Sequence, residues 1–88
     1  MIKLKKSDLV FISKLEMKIK ITARLSDESL EAKNRTWFLE IETTNGNTIE
    51  KGILMTARDE IRRFKQLNSI FIFIQEIFPA GTAFNVCT

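Results

Sequence analysis

The sequence has no histidine and no tyrosine, and only one cysteine, one proline and three glycines. Each shortage removes a class of chemistry. Without histidine there is no imidazole base, no Ser–His or Cys–His nucleophile, and none of the Cys/His spacings of a structural zinc site. Cys87 alone cannot form an intrachain disulfide, and it has no neighbouring cation in sequence to favour its thiolate. Gly46, Gly52 and Gly81 are scattered, so no glycine-rich loop can cradle a phosphate. Glu40, Glu42 and Glu50 are the carboxylates closest to an acid–base pair, but they fall on strand segments of a chain with little room for a cleft. The expectation is a protein that is not an enzyme and uses no cofactor and no metal.

Long apolar runs are also missing. None approaches the roughly 20 residues that span a bilayer. The basic start, Met1 to Lys6, is followed by Leu9-Val10-Phe11-Ile12, which is too short for the core of a signal peptide. A cytoplasmic location and no membrane partner are expected, consistent with a free thiol.

The 88 residues suffice for one domain, 1–88, in which 44% hydrophobic and 28% charged content argues against disorder. A chain this short is marginally stable alone, and with disulfide and metal excluded, self-association is the remaining support. The formal net charge is +3, unevenly spread. Residues 1–24 hold seven basic and two acidic groups, 25–50 two and six, and 51–88 five and three. A basic first segment beside an acidic middle one predicts pairing between them.

The clearest pattern runs from Leu15 to Leu25. Leu15, Met17, Ile19, Ile21, Ala23 and Leu25 alternate with polar residues, the mark of a half-buried strand. Trp37 to Thr43 and Thr48 to Met55 read as two further strands around a turn at Asn45-Gly46. A three-residue loop, Asn45-Gly46-Asn47, pairs Thr43 with Ile49, Ile41 with Lys51, Leu39 with Ile53 and Trp37 with Met55, which gives one mostly apolar face. A two-residue loop at Asn45-Gly46 mixes core and charge on both faces, so the longer loop is preferred. It leaves Phe38 opposite Leu54, and Glu40, Glu42 and Glu50 together, on the other face. Ser26 to Arg35 reads as a loop or one capped turn.

Thr56 and Asp59 are cap residues for a helix whose apolar positions are Ile61, Phe64, Leu67, Phe71, Ile74 and Phe78, stopped by Pro79. The alternative is a helix broken at Asn68-Ser69 and followed by a strand, because residues 70–74 are all β-branched or aromatic. Residues 1–14 fit a short helix, Leu9 to Lys14, or a strand. Ala80 to Thr82 reads as a turn and Ala83 to Cys87 as a short last strand. The expected fold is α+β: an antiparallel sheet of three to four strands, with one main helix in the C-terminal half packed on one face.

Two kinds of partner follow. The first is a protein, as a second copy in a homodimer or another chain. Residues 70–78 are apolar on more than one helix face, so Ile70, Phe73 and Ile77 need a cover beyond the sheet; Phe38 and Leu54 form a second apolar spot. The N-terminal segment, through Leu9, Phe11 and Ile12, is the internal alternative cover. The second partner is nucleic acid. Lys18, Lys20 and Arg24 line one strand, and Arg58, Arg62, Arg63 and Lys65 line the expected helix 57–67, which supplies phosphate affinity. Three glutamates on the same sheet face weigh against it.

Trp37 to Ile41, Asn45-Gly46, Ile49 and Thr56 together resemble the strand–turn–strand–helix pattern of arm-type DNA-binding domains of phage integrases, over about 30 residues. That resemblance implies a sheet that enters a DNA groove. Phe38, Glu40, Glu42, Glu50 and Leu54 stand here where that family carries basic or polar groups.

Overall fold

A computed structural model of the chain describes residues 2–15, 17–25, 35–78 and 82–87. The expected loop at 26–35 falls almost wholly outside them, as do Pro79 and most of the turn at 80–82. The elements are β1 (Ile2–Leu4), α1 (Lys6–Ser13), β2 (Lys18–Leu25), β3 (Trp37–Asn45), β4 (Thr48–Leu54), α2 (Leu67–Ile77) and β5 (Asn85–Cys87).

The class is α+β, but the sheet is neither purely antiparallel nor limited to four strands. Five strands lie in the order β1-β4-β3-β2-β5. β3 pairs antiparallel with β4 and β2, while β1 adds parallel to β4 and β5 parallel to β2. Strands β1, β4, β2 and β5 therefore point one way, and β3 alone opposes them. A parallel connection needs a crossover, and each helix lies in one. α1 carries the chain from β1 to β2, and α2 carries it from β4 to β5. Both crossovers move three places in the same direction across the sheet. Right-handed crossovers of the same sense lie on the same face. The packing agrees: Leu9 of α1 and Ile70, Phe73 and Ile74 of α2 join Ile21, Ala23, Leu39, Ile41 and Leu54 in one buried cluster.

The N-terminal segment thus contains both a strand and a helix. Lys5 stands before α1, and its backbone N–H donates to Asp8 Oδ2 at 2.8 Å, which satisfies one donor outside the first turn. Leu9 is fully buried and Ile12 packs on the core.

The hairpin register differs from the expected one by one residue. Asn45 pairs with Thr48, so the loop is Gly46-Asn47. Gly46 has φ of 63°, and glycine at the first position of a two-residue loop is the pattern of a type II′ turn. The slip places Ile41 opposite Gly52 and Glu42 opposite Lys51. Leu54, expected on the charged face, is 1% exposed in the core. Glu50 moves to the opposite face from Glu40 and Glu42, because neighbouring residues in a strand alternate sides.

The helix expected from Thr56 starts only at Leu67. Thr56 does cap, but it caps a turn: its Oγ1 accepts from the N–H groups of Arg58 at 3.3 Å and Glu60 at 3.2 Å. The chain then reverses, with Met55 bridged to Ile61. Phe64 pairs with Trp37 through two backbone hydrogen bonds of 2.7 and 2.8 Å. β4 ends at Leu54, which leaves the edge of β3 beside Trp37 unpaired, and Phe64 fills that slot. Sheet pairing overrode helical spacing here. The β-branched and aromatic run at 70–74 is helical because Ile70, Phe73 and Ile74 bury against the sheet.

Candidate functional site

The side of the sheet away from the helices carries no covering element among the described residues. Cross-strand pairing orders its side chains into rows. One runs Lys3, Ile53, Glu40, Thr22, Asn85 from β1 to β5. The next runs Lys51, Glu42, Lys20. Beyond it lie Ile49, Thr44 and Lys18. On the other side of the first row lie Phe38, Arg24 and Cys87.

The two carboxylates are locally compensated. Arg24 Nε donates to Glu40 Oε2 at 2.8 Å, and the Glu40 side chain is only 11% exposed. Arg24 Nη1 also lies 3.4 Å from Cys87 Sγ, so the guanidinium is held from two sides. Glu42 stands directly between Lys20 and Lys51. Opposite charges facing across strands are favourable, which removes the like-charge pair that the other register would have imposed.

Arg63 extends the basic surface. Its Nη1 lies 3.5 Å from Thr36 Oγ1, and Thr36 precedes the core-facing Trp37, which puts it on the uncovered side. The face therefore holds Lys3, Lys18, Lys20, Arg24, Lys51 and Arg63 against Glu40 and Glu42. That local excess of four positive charges exceeds the +3 of the whole chain. Phe38 and Ile53 are half-buried within it, and Ile49 is 59% exposed.

The basic residues expected together are divided. Lys18, Lys20 and Arg24 share the face. Of the four expected on a helix at 57–67, Arg63 joins them. Arg62 stands on the helix side, its guanidinium 5.2 Å from the Phe64 ring centre and 5.7 Å from that of Phe73. Arg58 lies in the turn after Thr56, and Lys65 is exposed in the connection to α2.

The apolar candidates are divided too. Ile70 and Phe73 are 0% and 7% exposed, Leu54 is 1% exposed, and Ile77 is half-buried against the core. They are covered from within the chain, with Leu9 and Ile12 of α1 in the same cluster. Only Phe38 stays on an accessible face. The large apolar groups that α1 and α2 do expose are Val10 at 37%, Phe11 at 65%, and Phe71 and Ile72 at 51% each.

Lys3, Lys51 and Ile53 were missed in the sequence. The one-residue register difference exchanges Lys51 with Glu50 and Ile53 with Leu54. Lys3 became visible only with the placement of β1.

Depressions border the helical layer. The depression under β1, beside Leu4, Ile12 and Gly52, measures about 80 Å³, well below the ~300–1,000 Å³ of ordinary ligand pockets. A wider one of about 420 Å³, lined by Phe71, Gln75, Thr82, Ala83 and Phe84, is shallow and brings no charged group together. Among the described residues no three Asp, Glu or Cys side chains gather as metal ligands, and no helix is long and apolar enough to cross a membrane. No protein-family model, no curated protein and no solved structure matches the chain.

Proposed function

We propose that the protein is a non-catalytic binding module that receives nucleic acid on the uncovered face of its sheet. The observation that carries this is the excess of positive charge on that face. The apparent obstacle in the sequence, three glutamates on one surface, is reduced to two, one bonded to Arg24 and one flanked by two lysines. Lysines and arginines arrayed on one surface attract phosphates and release their counterions. The two edge strands are only three residues long, so a partner gains little by adding a strand and more by lying on the face.

The test is fluorescence anisotropy of labelled oligonucleotides at two salt concentrations. Binding that weakens steeply with salt supports the proposal. Its absence at low salt removes it.

A second reading has its own observation. Phe11, Phe71 and Ile72 are exposed on the helical layer, which is the surface a protein partner or a second copy would cover. Sedimentation equilibrium checks the homodimer form. A dimer at micromolar concentration that dissociates in a Phe71→Glu, Ile72→Glu variant supports it, and a clean monomer excludes it.

A further inference from the structure

We infer that the nucleic acid is single-stranded, with its bases on Phe38 and Ile53 and its phosphates on the flanking lysines. This rests on the proposed use of the uncovered face and adds the form of the ligand.

The first support is the chemistry of the face. Its cations stand on two flanks, Lys18 and Lys20 on β2, and Lys51 and Lys3 on β4 and β1. Directly between Lys20 and Lys51 stands Glu42; the aromatic ring of Phe38 and the side chain of Ile53, both half-buried, lie toward the other end of the face, Ile53 beside Lys3 and Phe38 beside Arg24. A duplex presents phosphates outward and keeps its base faces stacked, so apolar groups at the centre of the contact gain nothing from it. Unstacked bases have exposed π-faces, and aromatic side chains and guanidinium planes are their usual platforms. Arg24 is directly paired with Phe38 across the strands. Its bonds to Glu40 and Cys87 hold the guanidinium on this face.

The second support is width. Five strands span four gaps of about 4.8 Å, or roughly 19 Å, whereas a major groove about 12 Å wide admits a helix or a two-stranded ribbon. The hairpin end is three strands wide, but at the row that crosses all five strands, which holds Ile53 and borders Phe38, the sheet is too broad to enter a groove and read base edges there. A flexible single strand can lie flat on it. Lys18 and Lys20 are two residues apart, so their Cα atoms repeat at about 6.7 Å along the strand. Across the face, β2 and β4 are separated by roughly 10 Å; the strand between them carries Glu42 and Glu40, so the apolar surface for a base is at Phe38 and Ile53, beside Arg24 and Lys3.

The experiment titrates the protein, at one low salt concentration, into a labelled single strand, the same sequence as a duplex, heparin and poly-glutamate. Phe38→Leu and Phe38→Ala are titrated in parallel, with circular dichroism to confirm folding. Phe38→Leu keeps an apolar side chain in place should the alanine variant unfold. The expected result is single-strand affinity at least tenfold above duplex affinity. Loss of the Phe38 ring lowers single-strand binding by about tenfold, the scale of one stacked base, and leaves heparin binding unchanged. Equal affinity for single strand and duplex, or a Phe38→Leu variant with undiminished single-strand binding, overturns this inference while the nucleic-acid proposal stands. Poly-glutamate bound as tightly as the oligonucleotide overturns both in favour of an acidic protein partner. No binding to any of the four overturns both outright.

Discussion

Replacing Gly52 by alanine probes how β1 is held on the sheet. Gly52 is buried in β4, opposite Ile41 on one side and Ile2 on the other. A Cβ there would stand 2.6 Å from Leu4 Cδ1, 2.8 Å from Leu4 Cγ and 2.9 Å from the Ile2 carbonyl oxygen. The leucine tip can swing away into the small depression beside it. The Ile2 carbonyl is backbone and moves only if β1 moves. Overpacking of this kind costs about 1–3 kcal/mol. Alanine recovers about 0.4–1 kcal/mol by stiffening the unfolded chain. Taken at their midpoints the two leave a net loss of roughly 1.3 kcal/mol, which lowers Tm by about 5–10 °C for a domain of this size. The strain should be relieved locally, because β1 is a three-residue edge strand joined to β4 alone. Hydrogen exchange should therefore show β1 losing protection while β2 and β3 keep theirs. A Tm that is unchanged or higher, with β1 still protected, would refute the close approach of β1 to Gly52.

Leu39→Ala removes a core side chain that is 1% exposed and should cost about 2–5 kcal/mol, read from the urea midpoint. Gly46→Ala meets no atom within 4 Å, so its cost is the backbone term alone, about 1–3 kcal/mol for a side chain held at positive φ, read in thermal melts. Arg62→Ala removes the guanidinium from over Phe64 and Phe73 and should lower stability by about 0.5–1 kcal/mol, with oligonucleotide affinity nearly unchanged because that side chain stands on the helix side.

How much of this was legible in the sequence depended on the element. The alternation read from Leu15 to Leu25 announced β2 and its buried side, because a period of two is a local property, although the strand starts only at Lys18 and Leu15 is 41% exposed. Asn45-Gly46 marked the hairpin but not its register. Apolar residues at both Ile53 and Leu54, and at Trp37 through Leu39, gave two nearly equal ways to divide the faces. The pairing of Ile41 with Gly52, and of Glu42 with Lys51, settles the choice. The segment 57–66 misled because Ile61, Phe64 and Leu67 are spaced as in a helix, while the vacant slot beside Trp37 is a tertiary fact. β1 and β5 were hard to foresee for the same reason: three-residue strands on parallel edges carry no periodicity of their own. The candidate surface inherited these errors. Lys18, Lys20 and Arg24 were visible together, but Lys3, Lys51 and Arg63 join them only through pairing partners far away in sequence.

The central claim is that the uncovered sheet face, and not net charge in general, binds nucleic acid. It is tested most directly by comparing two double charge reversals. Lys20→Glu with Lys51→Glu alters the face, and Lys6→Glu with Lys14→Glu alters the helix side by the same four units of charge. Affinity for a labelled oligonucleotide is measured by anisotropy at fixed salt. The account predicts that the first variant loses binding entirely and the second keeps most of it. Equal losses in the two variants would contradict it.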